Sequence, residues 1–231
     1  MSAQSCNLYA QFQAAFPPDP SAILLQAAPD RSYSYADAQR ESARMANYLT
    51  SLGAKPGDRV TAQVEKCPEA LWLYLACLRA GLVYHPLNPA YQAAELEYFV
   101  ENAEPRIVVC PGQSETLFHS LAGRAAKAQV LTLEPDGGGS LNAGALACAD
   151  TFDTVSRQPD DLAALLYSSG TTGRPKGIML SHANLASNGA TLVKLWGFTG
   201  ADVLLHALPV FHVHGLFVAT HCVLLSGARM C

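Results

Sequence analysis

Apolar and polar positions along this chain alternate between two periods. Compact apolar runs occur at Val60–Val64, Leu82–His85, Ile107–Cys110 and Gln129–Leu133, and turn-forming residues separate them. Such runs predict strands, whereas a return of apolar residues every third or fourth position predicts helices. The clearest helical face carries Ala38, Ser42, Met45, Leu49 and Leu52. Ser34 and Asp37 have the spacing of a capping box at its start, and Gly53 supplies the left-handed stop. A second helix opens at Pro68 with Glu69 in its first turn. It presents Leu71, Leu75 and Leu78, widened by Trp72, and ends at Gly81. Further helices are expected over Ala93–Asn102 and Ser114–Ala126. Ser21–Gln26 and Ser32–Tyr35 are expected to be short strands around the turn Pro29-Asp30-Arg31. Strands alternating with helices predict an α/β fold, with right-handed crossovers, a largely parallel sheet and helices on both faces.

The pattern fades between Glu134 and Asp161. Pro135, the triplet Gly137-Gly138-Gly139 and an alanine-rich run read as a passage between sub-domains, with Leu141, Leu146 and Phe152 as anchors. The expected division is 1–155 for a first αβ sub-domain and 156–231 for the start of a second. In the second, Ser181 is a good N-cap for a helix that buries Leu185, Gly189, Leu192, Val193 and Trp196. A strand over Val203–Leu208, an irregular segment Phe211–Gly215 and a helix over Leu216–Leu225 should follow. Ala228–Cys231 then looks like the opening of another strand. A sheet left unfinished there makes the chain, by expectation, a fragment that lacks the remainder of its own sequence.

One stretch stands out chemically: AALLYSSGTTGRPKGIMLS, from Ala163 to Ser181. Two apolar runs flank a segment of hydroxyls, glycines and cations, which reads as strand, loop, strand. Glycine backbone can wrap an anion with N–H groups, and hydroxyls and a lysine add donors. The segment does not fit G-x-x-x-x-G-K-[ST], because Pro175 precedes Lys176 and Gly177 follows it. Pro175 also keeps Arg174 out of helical backbone. A phosphate loop joining two antiparallel strands is the functional reading, and a plain surface loop is the alternative.

Composition narrows the classes. Half of the 231 residues are apolar and 15% are charged, so there is ample material for a core. With a net charge of −4 and no concentration of Lys and Arg, a nucleic-acid partner is disfavoured. No apolar run has the length of a membrane span, and the N-terminus lacks the form of a signal peptide. The seven cysteines are scattered without a C-x-x-C pair, as expected for free thiols in a reducing cytoplasm. His206, His212, His214 and His221 lie close together in sequence. His212-x-His214 could present two imidazoles on one face, but no third ligand has zinc-like spacing, so no metal site is assigned. His212 instead suits a position at the C-terminal edge of a sheet, facing a ligand. A packed, hydrogen-bonded histidine is the alternative.

The segment YSSGTTGRPKGIMLSHANL resembles the AMP-binding signature of the adenylate-forming enzymes: acyl-CoA synthetases, luciferases and adenylation domains. GLVYHPLNPAY (81–91) agrees, and ALPVFHVHG (207–215) resembles the second core motif of that superfamily. The run from Leu180 to Phe217 is most similar to the malonyl-CoA synthetases. The resemblance implies the N-terminal part of the adenylate-forming fold and an ATP-dependent carboxylate–CoA ligase. Its substrates would be a small carboxylic acid, ATP and coenzyme A. By this resemblance Ser168, Ser169, Gly170, Thr171, Thr172, Gly173 and Lys176 would hold the β- and γ-phosphates with Mg2+. His212 would border the acid and contact its carboxylate or the α-phosphate. The motifs expected for adenine and ribose, the hinge and the C-terminal lysine lie beyond Cys231, so the fragment alone is expected to be inactive. Alternatives are a ligase for another short, medium-chain or aromatic acid, and a non-catalytic scaffold that keeps the loop.

Overall fold

The computed structural model describes residues 5–125, 128–168 and 174–231. The chain opens with α1 (Leu8–Ala14), which Asn7 caps by accepting the Tyr9 N–H. The hairpin β1 (Ile23–Ala28) and β2 (Arg31–Ser34) leads into α2 (Tyr35–Ser51). The Ser34/Asp37 capping box forms at that junction as the sequence predicts. Next come β3 (Arg59–Ala62), α3 (Pro68–Arg79), β4 (Val83–Pro86), α4 (Ala93–Ala103), β5 (Ile107–Cys110), α5 (Glu115–Ala125) and β6 (Gln129–Thr132). The last part holds α6 (Ser140–Leu146), β7 (Leu162–Ser168), β8 (Lys176–Ser181), α7 (His182–Trp196) and β9 (Val203–Leu204). A π-helical turn, His214–Ala219, then runs into α8 (Thr220–Ser226) and β10 (Arg229–Met230).

Two sheets form. One has six strands in the order β6-β5-β3-β4-β7-β8, parallel except for the β7–β8 hairpin. The other has four, ordered β2-β1-β10-β9, with β10 parallel to both neighbours. Each sheet therefore draws strands from both sides of residue 155. Helices cover the six-stranded sheet on both faces, and β5 shows how. Ile107 and Val109 enter the larger core cluster, whereas Val108 and Cys110 enter a second one with Phe99 and Phe118. Strand side chains alternate in direction, so a run of apolar residues without a polar break marks a strand buried on both sides. Helix α3 is buried over its whole length, and Trp72 and Tyr74 are among the largest enclosed side chains.

Several expectations need correction. Helix α6 forms inside the stretch read as a passage. Its approach is set by Gly139, at φ +115°, where a Cβ would lie 2.4 Å from the Thr132 carbonyl oxygen. Leu141 is buried as an anchor, but Leu146 is exposed. Strand β8 is not buried: Ile178 and Met179 are 43% and 67% exposed, because β8 lies at the sheet edge. Helix α7 buries His182, Leu185, Ala186 and Gly189, whereas Leu192 and Val193 are half-buried and Trp196 is exposed. Its close contact with α8 centres on Gly189, where a Cβ would come 2.6 Å from Leu225 Cδ1. The strand expected over Val203–Leu208 stops at Leu204, with one further ladder bond from His206 N–H to the Cys231 carbonyl.

Candidate active site

The loop that dominates the sequence joins two antiparallel strands, as its flanks predict. β7 and β8 pair from Leu162 opposite Ser181 to Ser168 opposite Lys176. Ser168 ends one stem and Lys176, exposed to solvent, begins the other. Ser169, Gly170, Thr171, Thr172 and Gly173 lie outside the described residues. Gly177 is not sterically required, since a Cβ there meets only ordinary contacts with Leu165 and Tyr167.

Strand β4 is the parallel neighbour of β7, with Tyr84 in register with Ala164. Their C-terminal ends therefore open at the same sheet edge, where α/β folds place ligands. A cavity of about 290 Å3 lies there. Its walls come from three separate stretches: Pro86–Asn88 and Tyr91 at and beyond the end of β4, Leu166–Ser168 of β7, and Phe211–Val213. Phe99 and Ile178 complete the lining. The segment after β4 is held by Gln63, buried, whose Nε2 donates towards the carbonyls of Asn88, Pro89 and Tyr91 at 3.1–3.3 Å. Three of the stretches singled out in the sequence thus meet around one space.

His212 is exposed on the cavity wall rather than buried in the core. Its ring stacks on that of His214 with centroids 5.4 Å apart, and the two Nδ1 atoms are 3.4 Å apart. The other two histidines of the sequence cluster point elsewhere. His206 Nε2 meets the Gly215 carbonyl (3.0 Å) and Thr220 Oγ1 (3.1 Å). His221 is buried against Tyr74, 2.7 Å from its hydroxyl, and burial pushes its pKa down to about 3. Among the described residues, no group of three or more His, Cys, Asp or Glu is placed to hold a metal ion.

A layer behind the cavity was not read from the sequence. His85, a fully buried residue of β4, bonds Thr61 Oγ1 through Nδ1 at 2.9 Å, and burial lowers its pKa to about 3. Its neutral ring backs Tyr167 at 5.3 Å, and Tyr167 also packs on Phe99 at 4.8 Å. The aromatic residues of α4 gave no chemical signal of their own, because in sequence they read as ordinary amphipathic positions.

The family described as AMP-binding enzyme matches residues 10–231. The chain belongs to the AMP-binding enzyme family. Among the curated relatives of this chain is an oxalate–CoA ligase of Arabidopsis thaliana. It is 33% identical over 81% of this chain and 37% of its own length. A 4-coumarate–CoA ligase 3 of Oryza sativa subsp. japonica is 32% identical over 89% of this chain and 37% of its own. The crystal structure of apo MatB from Rhodopseudomonas palustris superposes with a TM-score of 0.95 and 48% identity. It covers 98% of this chain and 45% of MatB. ATP-bound MatB from the same organism gives 0.94 and 49%, again with 98% and 45% covered. The chain thus spans less than half the length of these relatives. The family resemblance read from the signature segment, and the α/β fold it implied, hold. Among the described residues, no helix is long and apolar enough to cross a membrane.

Proposed function

We propose that this chain forms the phosphate-binding and acid-binding part of an AMP-forming carboxylate–CoA ligase. The observation that carries this reading is the convergence of Ser168, the 86–91 segment and His212 on one cavity at the end of two parallel strands. The loop stem places Ser168 at the cavity wall and Lys176 beside it across the hairpin. Hydroxyls, glycine backbone and a lysine suit the β- and γ-phosphates of ATP, and the resemblance assigns that role to Ser168 through Gly173 and to Lys176. Mg2+ would arrive with the nucleotide.

A carboxylate is a poor acyl donor, so ligation proceeds in two steps. A carboxylate oxygen attacks the α-phosphorus of ATP and pyrophosphate leaves, giving an acyl-adenylate. The thiol of coenzyme A then displaces AMP. Negative charge grows on the leaving pyrophosphate, and fixed donors aimed there lower the barrier. Lys176 serves that purpose in this reading. The imidazole of His212, at the cavity wall, would orient the carboxylate or donate to an oxygen of the α-phosphate.

The acid we favour is malonate. The similarity of the run from Leu180 to Phe217 to malonyl-CoA synthetases supports it. A second reading, an aromatic acid, has its own support. Tyr91, Phe99, Tyr167 and Phe211 line the cavity, and curated relatives include 4-coumarate–CoA and feruloyl-CoA enzymes. The cavity lining among the described residues contains no Lys or Arg to pair with a second carboxylate. ATP–pyrophosphate exchange by the full-length protein, with malonate set against acetate, butyrate, benzoate and 4-coumarate, separates the two. Preference for malonate is expected, and faster exchange with an aromatic acid replaces the first reading by the second.

A further inference from the structure

Both stems of the loop are tied to a single helix. On one side, the Tyr167 hydroxyl donates to Asn102 Oδ1 at 2.6 Å. On the other, the Tyr98 hydroxyl donates to the Pro175 carbonyl at 2.6 Å, and the Arg174 guanidinium lies 5.7 Å above the Tyr98 ring. Tyr98 and Asn102 are four residues apart on α4 and therefore share one face. That helix is itself well anchored. Gln92 and Glu95 form a capping box at its start. At its end, Arg59 of β3 donates to the carbonyls of Ala103 (2.7 Å) and Glu104 (2.6 Å). Leu96, Phe99, Val100 and Ala103 are buried beneath it.

We propose that α4 acts as a rigid clamp on the phosphate loop, with Tyr98 and Asn102 as positioning residues that hold its two stems in place for the nucleotide. The inference rests on the phosphate-loop reading of the previous subsection. Its physical basis is that β8, one of the two stems, lies at a sheet edge. β8 is exposed over most of its length and, among the described residues, pairs with β7 alone. Two hydroxyl bonds and a cation–π contact then restrain the stems from the side. Asn102 is solvent-exposed, so its role can be removed with little effect on the core.

The test compares three variants of the full-length protein. Tyr98→Phe keeps the ring beneath Arg174 and removes only the hydroxyl. Asn102→Ala removes the acceptor for Tyr167, and Asn102→Asp retains one. Amide hydrogen exchange is followed in the ligand-free protein over both stems, Leu166–Ser168 and Arg174–Ile178. Calorimetry then measures the affinity for ATP with Mg2+ and for inorganic pyrophosphate. The first two substitutions should speed stem exchange and weaken ATP binding about three- to tenfold, with the melting temperature unchanged. Asn102→Asp should restore both readings. Unchanged stem exchange overturns the clamp, as does faster exchange with undiminished affinity. A lowered melting temperature with exchange raised throughout the sheet also overturns it, since the role would then be structural. A wild-type protein that binds neither ATP nor pyrophosphate overturns the phosphate-loop reading instead, and stem exchange alone then decides whether α4 holds the loop.

Discussion

Lys176 stands at the first position of β8, exposed and directly opposite Ser168. On the proposed reading it contributes only to binding phosphate charge, and no core contact depends on it. Lys176→Ala should therefore lower ATP–pyrophosphate exchange by the full-length protein about 10^2-fold. Its unfolding free energy should stay within about 0.5 kcal/mol of wild type. An unchanged exchange rate would return the segment to a plain surface loop. The buried histidines make a separate prediction about pH. Burial holds His85 and His221 at about 3 and His182 at about 4, against 6.5 for a free side chain. The unfolded chain therefore takes up protons first. Stability is complete above about pH 6.5 and declines as pH falls towards 4, by up to about 1.4 kcal/mol per pH unit for each histidine. Urea unfolding at pH 7 and pH 5 measures the loss, and His221→Gln should make it shallower. A midpoint that does not move between the two values would contradict the neutral, buried assignment.

At the scale of elements, caps and glycines decide where segments start and turn. The Ser34 hydroxyl accepts the Asp37 N–H at the start of α2, so Ser34→Ala should cost about 1 kcal/mol in a denaturant titration. Gly215 answers a tighter demand. A Cβ there would lie 2.0 Å from the Pro209 carbonyl oxygen, while the Gly215 carbonyl accepts from Thr220 Oγ1 at 2.9 Å. Gly215→Ala must push the 209–215 segment, and His212 with it, away from the cavity wall. We expect destabilisation of about 1–3 kcal/mol by denaturation, with loss of exchange activity beyond what stability explains. The helix over 35–51, its capping box, the proline-led α3 and the antiparallel loop flanks were legible because each depends on neighbours in sequence. Helix α6 was not, since seven residues rich in Ala and Gly carry little periodicity and only Leu141 and Ala145 are buried. The burial assigned to the end of α7 also failed, and β8 is exposed at Ile178 and Met179 despite its apolar run. An apolar residue records what could be covered, and position in the sheet or against α8 decides whether it is.

At the scale of the whole molecule, long-range ties join elements that the sequence keeps apart. Arg79 at the end of α3 is the plainest. It donates to the Gln39 carbonyl (2.6 Å), Ser42 Oγ (3.0 Å) and the Phe152 carbonyl (2.8 Å), and lies 4.7 Å above the Tyr9 ring. Arg79→Met keeps the stem but strands these buried acceptors, and should cost about 3 kcal/mol in chemical denaturation. The candidate site is a product of the same scale. From sequence alone came the signature loop, its strand flanks, His212 and the α/β class, because donor chemistry and short-range periodicity are written locally. Tertiary structure brought β4 beside β7, so that the 86–91 segment, Ser168 and His212 face one cavity. It also sent His206 and His221 into packing roles and laid Tyr98 and Asn102 against the loop stems. Those outcomes depend on which strands pair and which faces are covered, and such contacts between distant residues leave no period in the chain.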